Sequence, residues 1–101
     1  GIGWYGVTKA AVAHLTTTLS VELAPRVRVN AVAPAVVKTR FARALYEGRE
    51  EEVASGYPLG RLGVPEDVAG AVAFLVGDDA SWITGQVLTL DGGLLGAGGT
   101  A

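Results

Sequence analysis

Tyr5 and Lys9 stand four residues apart at the head of an amphipathic run, and a second polar cluster, Asn30 to Thr39, follows. Four residues is about one helical turn, so both side chains leave the same face of a helix. A phenol beside an ammonium is a proton-transfer device. The cation favours phenolate, which lets the tyrosine give or take a proton more readily than its ordinary pKa near 10 allows. Moving that pKa from about 10 to about 7 requires roughly 4 kcal/mol of differential stabilisation. The pair alone is not specific, and the elements that would position it carry the argument further.

Residues 4 to 24 read as a helix. Trp4, Val7, Ala11, Leu15, Leu19 and Leu23 recur at three- and four-residue steps and are expected to form its buried stripe. Ala10, Ala11 and Ala13 favour helix and allow close packing, and Pro25 ends the run. Val27, Val29 and Val32 with their neighbours read as a strand over 27–33, closed by Pro34. Residues 40 to 54 predict one or two short helices around Gly48, with Thr39 as an N-cap. This polar stretch, rich in Glu and Arg, is a candidate for a mobile lid. Gly56, Pro58, Gly60 and Gly63 punctuate a loop. Pro65-Glu66-Asp67 opens a second helix, proline first and acids in the first turn, with Val68, Ala71, Val72, Leu75 and Val76 as its stripe. Asp78 and Asp79 end it. Residues 86–90 read as a second strand, followed by the turn Asp91-Gly92-Gly93 and a glycine-rich tail.

Strand, helix, strand is the order of a βαβ unit with parallel strands. A parallel sheet is covered on both faces and has more than two strands, so the expectation is part of a larger α/β protein. The bulk properties agree. The chain has 101 residues, half of them hydrophobic and 18% charged, which is rich in core-type sequence for so small a domain. It contains no Met and reads as if taken from something longer. A net charge of −2 with no basic block argues against nucleic-acid binding. The absence of cysteine excludes disulfides, thiol catalysis and Cys-ligated zinc within this sequence. No stretch is apolar for the roughly 18 residues of a membrane span, and no signal peptide is visible, so the expectation is a cytoplasmic protein without membrane contact. Gly1-Ile2-Gly3-Trp4-Tyr5-Gly6 matches G-x-G-x-x-G, but no strand precedes it and Glu22 falls inside a helix. These glycines mark a helix entry, not a dinucleotide fingerprint.

Several blocks resemble one family. Tyr5-Gly6-Val7-Thr8-Lys9 resembles the Y-x-x-x-K active-site helix of short-chain dehydrogenases/reductases. Arg28-Val29-Asn30-Ala31-Val32-Ala33-Pro34 resembles the strand and N-x-x-x-P-G motif that follow it. Gly60 through Ala69, Ile83-Thr84-Gly85-Gln86 and Leu90-Asp91-Gly92-Gly93 resemble the next linker and helix, the last strand and the ending. The resemblance implies the C-terminal portion of a Rossmann-type doubly wound parallel sheet, an incomplete fold covering roughly the last two-fifths of such an enzyme. It divides the chain into an active-site helix (1–25), a strand and cofactor edge (26–39), a substrate lid (40–57), and a last helix, strand and tail (58–101).

By that resemblance Tyr5 is the general acid for carbonyl reduction and the base in reverse. Lys9 assists it and hydrogen-bonds the ribose of NAD or NADP. Pro34, Val37 and Thr39 line the nicotinamide side of the cofactor, Thr39 acting as cofactor contact, helix cap or both. Asn30 either belongs to the site or satisfies nearby backbone. The family's usual glycine after Pro34 is Ala35 here, where a methyl group would crowd the nicotinamide or resist a positive φ. The implied substrate is a small carbonyl compound or alcohol, and the implied assembly a homo-dimer or homo-tetramer. The segment alone is expected to be inactive. A contrasting reading makes it a non-catalytic oligomerisation piece. His14 is expected on the surface or at an interface with no metal role, and Trp82 in the core or a subunit interface.

Overall fold

The computed structural model describes residues 2–98, and for residues 2–6 the backbone alone. The first helix, α1 (Ile2–Leu23), contains no proline and, beyond Gly6, no glycine; it stops just ahead of Pro25. The strand β1 (Ala31–Pro34) follows. Two short elements then flank Gly48: a 3₁₀ turn at Arg43–Leu45 and the helix α2 (Glu50–Ala54). Gly48 has φ of 79°, a left-handed conformation that glycine adopts without steric cost and that separates the two pieces. The helix α3 (Pro65–Val76), a 3₁₀ turn at Asp78–Ala80 and the strand β2 (Val87–Leu90) complete the order, with a last turn at Leu95–Ala97.

The two strands pair. The Ala31 N–H donates to the Gln86 carbonyl, and four residues later the Ala35 N–H donates to the Leu90 carbonyl. Both strands advance together across those bonds, so the pairing is parallel, as the strand–helix–strand order predicts.

The chain forms two compact units. One holds the residues through Ala31 together with Phe74–Leu88, the other Val32–Ala73 and the chain from Thr89 onward. In the first unit α1 turns a different face inward from the one its apolar stripe suggests. Val7, Leu15 and Leu23 are exposed, whereas Thr16 and Ser20 are each 5% exposed. Apolar residues lie on nearly every side of this helix, so their spacing alone cannot choose the buried side. Close approach chooses it. Gly85, at φ 74°, comes so near that a Cβ there would sit 2.7 Å from the Ser20 Oγ. Only small side chains permit this contact. The hydroxyls survive burial because they donate back to their own helix: Thr16 Oγ1 to the Val12 carbonyl at 2.8 Å, and Ser20 Oγ to the Thr17 carbonyl at 2.7 Å.

The sequence reading of a strand over 27–33 is corrected at its start. Residues 27–30 lie outside β1: the Val27 N–H donates to the Leu23 carbonyl at the end of α1, and Val29 is taken up by a loop instead of a ladder. The Val29 N–H donates to Thr84 Oγ1, and the Val29 carbonyl accepts from the Gly85 N–H. Arg28 donates to the carbonyls of Leu75, Gly77 and Ile83. Leu75 and Gly77 lie at the C-terminal end of α3, where carbonyls lack helical partners and a cation is favoured by the helix dipole. On α3 itself, Leu75 is buried and Val68 and Ala71 are half-buried, while Val72 and Val76 are exposed. The stripe is therefore narrower than the sequence suggests. Trp82 is 98% exposed, which excludes it from the core of this chain. His14 is exposed, as expected. No described helix is long and apolar enough to cross a membrane.

Replacing Arg28 by Met keeps the aliphatic stem and orphans the three carbonyls. We expect about 2–4 kcal/mol of lost stability in equilibrium urea unfolding. A change below about 0.5 kcal/mol would contradict the capping role.

Candidate active site and cofactor edge

Tyr5 and Lys9 lie one turn apart on α1, in the first unit. Lys9 is half-buried; the side chain of Tyr5 lies outside the described residues. The continuous helix keeps the two positions one turn apart. Asn30, also in the first unit, bridges backbone at both ends of its amide. Its Nδ2 donates to the Ile83 carbonyl at 2.9 Å, and its Oδ1 accepts from the Gln86 N–H at 3.1 Å. The backbone-satisfying alternative for Asn30 is therefore realised.

Pro34, Val37 and Thr39 belong to the second unit, on the segment that leaves the carboxyl end of β1. This segment is fixed residue by residue. The Val36 N–H donates to the Tyr57 hydroxyl at 3.3 Å. The Val36 carbonyl accepts from the Gly63 N–H at 3.0 Å, and the Lys38 N–H donates to the Gly63 carbonyl at 2.9 Å. These two bonds make an isolated parallel bridge between Val37 and Gly63. The Val37 carbonyl accepts from the Thr39 N–H, while no described acceptor meets the Val37 N–H. Thr39 Oγ1 accepts from the Ala42 N–H at 3.1 Å. It thus caps the turn after β1, not a helix, and its O–H remains a donor. Ala35 is not at positive φ, so the methyl group that replaces the family's usual glycine strains no backbone here.

An open amide N–H and a hydroxyl donor at the carboxyl end of a parallel strand suit a ligand rich in carbonyl and phosphate oxygens. Such a donor set fits a nicotinamide carboxamide with its neighbouring pyrophosphate. Among the described residues no cluster of His, Cys, Asp and Glu could hold a metal ion.

Residues that the sequence reading passed over complete the second unit's edge. Lys38 Nζ meets Glu50 Oε1 at 2.7 Å, joining the edge to α2, and its pKa is raised by the hydrogen bond and charge of Glu50. The 40–57 segment is therefore tethered near its middle by Glu50 and at its end by Tyr57, which is buried. A cleft of about 250 Å³ lies among Ala35, Val36, Tyr57, Arg61 and Leu90. The Arg61 guanidinium meets the Asp67 carboxylate through both nitrogens, at 2.7 and 3.0 Å. Asp67 also accepts from the Val64 N–H at 2.8 Å, the return half of a capping box at the start of α3. Asp67 was legible as a helix-start acid; its pairing with Arg61 was not, because the two stand six positions apart across the end of a loop and the start of a helix.

Comparisons with known proteins identify the family. Residues 1–95 match the family model described as enoyl-(acyl carrier protein) reductase. The chain belongs to the short-chain dehydrogenase/reductase family. It is 47% identical over 96 residues to human dehydrogenase/reductase SDR family member 4, covering 92% of this chain and 34% of that protein. It is 47% identical over 92 residues to the 3-oxoacyl-[acyl-carrier-protein] reductase FabG of Thermotoga maritima, covering 90% of this chain and 37% of that protein. A solved structure of ElxO with NADP bound superimposes with a TM-score of 0.80 at 41% identity, over 91% of this chain and 39% of that one. The chain thus spans about a third of the length of the curated relatives it matches. Its α/β architecture with parallel strands is that of the family's Rossmann-type sheet.

The Arg61 guanidinium, and next the Val64 N–H, hold the Asp67 carboxyl well below its ordinary 3.8, at about 2. A depressed carboxyl pKa contributes stability that is fully present above about 3.8 and is lost as pH falls towards 2. Asp67→Asn should therefore flatten the acid limb of the melting temperature between pH 4 and pH 2 relative to wild type. Parallel acid limbs for the two proteins would refute that linkage.

Proposed function

We propose that this chain serves an NAD(P)-dependent oxidoreductase that interconverts a ketone or aldehyde with an alcohol. The observation that carries the reading is the Tyr5–Lys9 spacing on one unbroken helix in a member of this family. Tyr5 gives a proton to the substrate oxygen during reduction and withdraws it during oxidation. The Lys9 ammonium favours the phenolate and so eases both directions. When bound, the nicotinamide supplies or accepts the hydride. Lys9 holds the ribose hydroxyls, Pro34 lies against the nicotinamide ring, the Val37 backbone takes the carboxamide, and the Thr39 hydroxyl reaches the carboxamide or pyrophosphate. Support for the cofactor comes from the open Val37 N–H and from the NADP-bound relative. Support for a carbonyl substrate comes from the reductase among the relatives.

In this reading residues 1–25 are the active-site helix and 26–39 the strand and cofactor edge. Residues 40–57 cover the substrate, and 58–101 are the last helix, strand and tail. The segment taken alone is inactive, because it spans only a third of the relatives' length.

The test is reduced-nicotinamide absorbance in the intact enzyme with NADH or NADPH and a panel of ketones and aldehydes. Tyr5→Phe should lower kcat by about 10²–10⁴-fold with cofactor binding retained. Lys9→Met should lower kcat and also weaken the cofactor. Full activity in Tyr5→Phe would sink the assignment.

We also assign a homo-dimeric or homo-tetrameric assembly, supported by the exposed apolar side of α1 that carries Val7, Leu15 and Val21. Sedimentation velocity should show a dimer or tetramer that Leu15→Glu converts to smaller species. A monomeric wild type would reject it.

A further inference from the structure

Beyond Pro34 the chain has left the β1–β2 ladder, yet this is where the cofactor edge lies. Several bonds hold this segment, and the two that flank Val37 are both made by one residue. Gly63 donates its N–H to the Val36 carbonyl and accepts the Lys38 N–H, so it grips the residues on both sides of Val37. A loop glycine can hold a neighbour in place only if it is itself held. Its two chain neighbours show how this is done. On one side, Arg61 Nη1 donates to the Leu62 carbonyl at 3.0 Å while the guanidinium engages Asp67 through both nitrogens. On the other, the Val64 N–H donates to the same Asp67 carboxylate. Gly63 is clamped between them. The fit is close as well, since a Cβ on Gly63 would lie 3.4 Å from both the Val36 carbonyl oxygen and Val37 Cγ2.

We propose that Arg61 and Asp67 are positioning residues for the dinucleotide. Through Gly63 they fix the Val36–Lys38 backbone so that the Val37 N–H is presented to the cofactor. The inference rests on the assignment of Val37 to the cofactor edge. Helix capping alone does not require the arginine, because the Asp67 bond to the Val64 N–H satisfies it. A half-exposed ion pair also adds little to global stability. A bidentate pair with a further bond to the Leu62 carbonyl does something else: it removes the rotational freedom of the corner that carries Gly63.

The decisive variant is Arg61→Met, which leaves the Asp67 cap and removes the clamp. In the intact enzyme we expect the KM for NADH or NADPH, whichever is used, to rise about 5–10-fold, the loss of one oriented hydrogen bond. The kcat should stay within about twofold, and the melting temperature should be little changed. Without any cofactor, amide hydrogen exchange should quicken about tenfold or more at Lys38 and Gly63, while α1 amides keep their rates. Arg61→Lys restores the charge without the bidentate geometry and should fall between the two. Asp79→Asn, at an exposed acid outside both the cofactor edge and the substrate-covering segment, should change neither readout. An Arg61→Met enzyme with wild-type cofactor KM and wild-type Lys38 exchange would overturn the inference and leave the function standing. A large fall in melting temperature with KM unmoved would also overturn it, leaving only a structural corner. A wild-type enzyme that binds no nicotinamide dinucleotide would overturn the function first and this inference with it.

Discussion

The backbone on either side of β1 must find hydrogen-bond partners that no sheet ladder supplies, and the structure is organised around meeting that need. An unmet buried N–H or carbonyl costs about 1–3 kcal/mol, as much as most side-chain contacts contribute. Before the strand, Thr84 and Gly85 take up Val29, and the Asn30 amide closes on the 83–86 loop. After it, Tyr57, Gly63 and Leu90 take up Ala35, Val36 and Lys38. Each partner is a specific group at a specific distance along the chain. The conformation of residues 35–38 is therefore inherited from groups far along the chain.

Two arginines perform related tasks for α3, one in each unit. Arg28 covers carbonyls at its C-terminal end, where a positive charge opposes the negative end of the helix dipole. Arg61 braces the acid that caps its N-terminal end. Guanidinium suits both because its donors are rigidly spread, reaching several carbonyls in one case and both carboxylate oxygens in the other. A lysine offers charge in the same places but no planar fork.

The helix α1 illustrates a different balance. Its inward face is small and partly polar, built from Ala13, Thr16 and Ser20, while Val7, Val12, Leu15, Val21 and Leu23 are exposed. Close approach to Gly85 outweighs the burial of bigger residues on that side. The exposed side mixes Val7, Val12, Leu15, Val21 and Leu23 with polar Thr8, His14, Thr18 and Glu22.

Much of this chain was legible without coordinates. Helix starts and stops follow from local chemistry: Pro25 ends α1, Pro65 with its acids opens α3, and Gly48 divides the stretch between β1 and the loop. The parallel strand order follows from the alternation of elements, and the Tyr5–Lys9 pair and its family follow from spacing and short motifs. What the sequence could not decide depended on contacts between distant segments. The buried face of α1 was ambiguous because its apolar residues surround the axis. Strand β1 starts at Ala31 because a distant loop takes up Val29 through the Thr84 hydroxyl and the Gly85 N–H. Trp82 lies outside the core because neither unit covers it. The roles of Lys38, Tyr57, Gly63 and Arg61 were invisible because a hydrogen bond across many residues leaves no periodic trace. Local backbone preference acts over a few residues and is written in order along the chain, whereas satisfying a buried polar group is settled by whichever group the fold brings near.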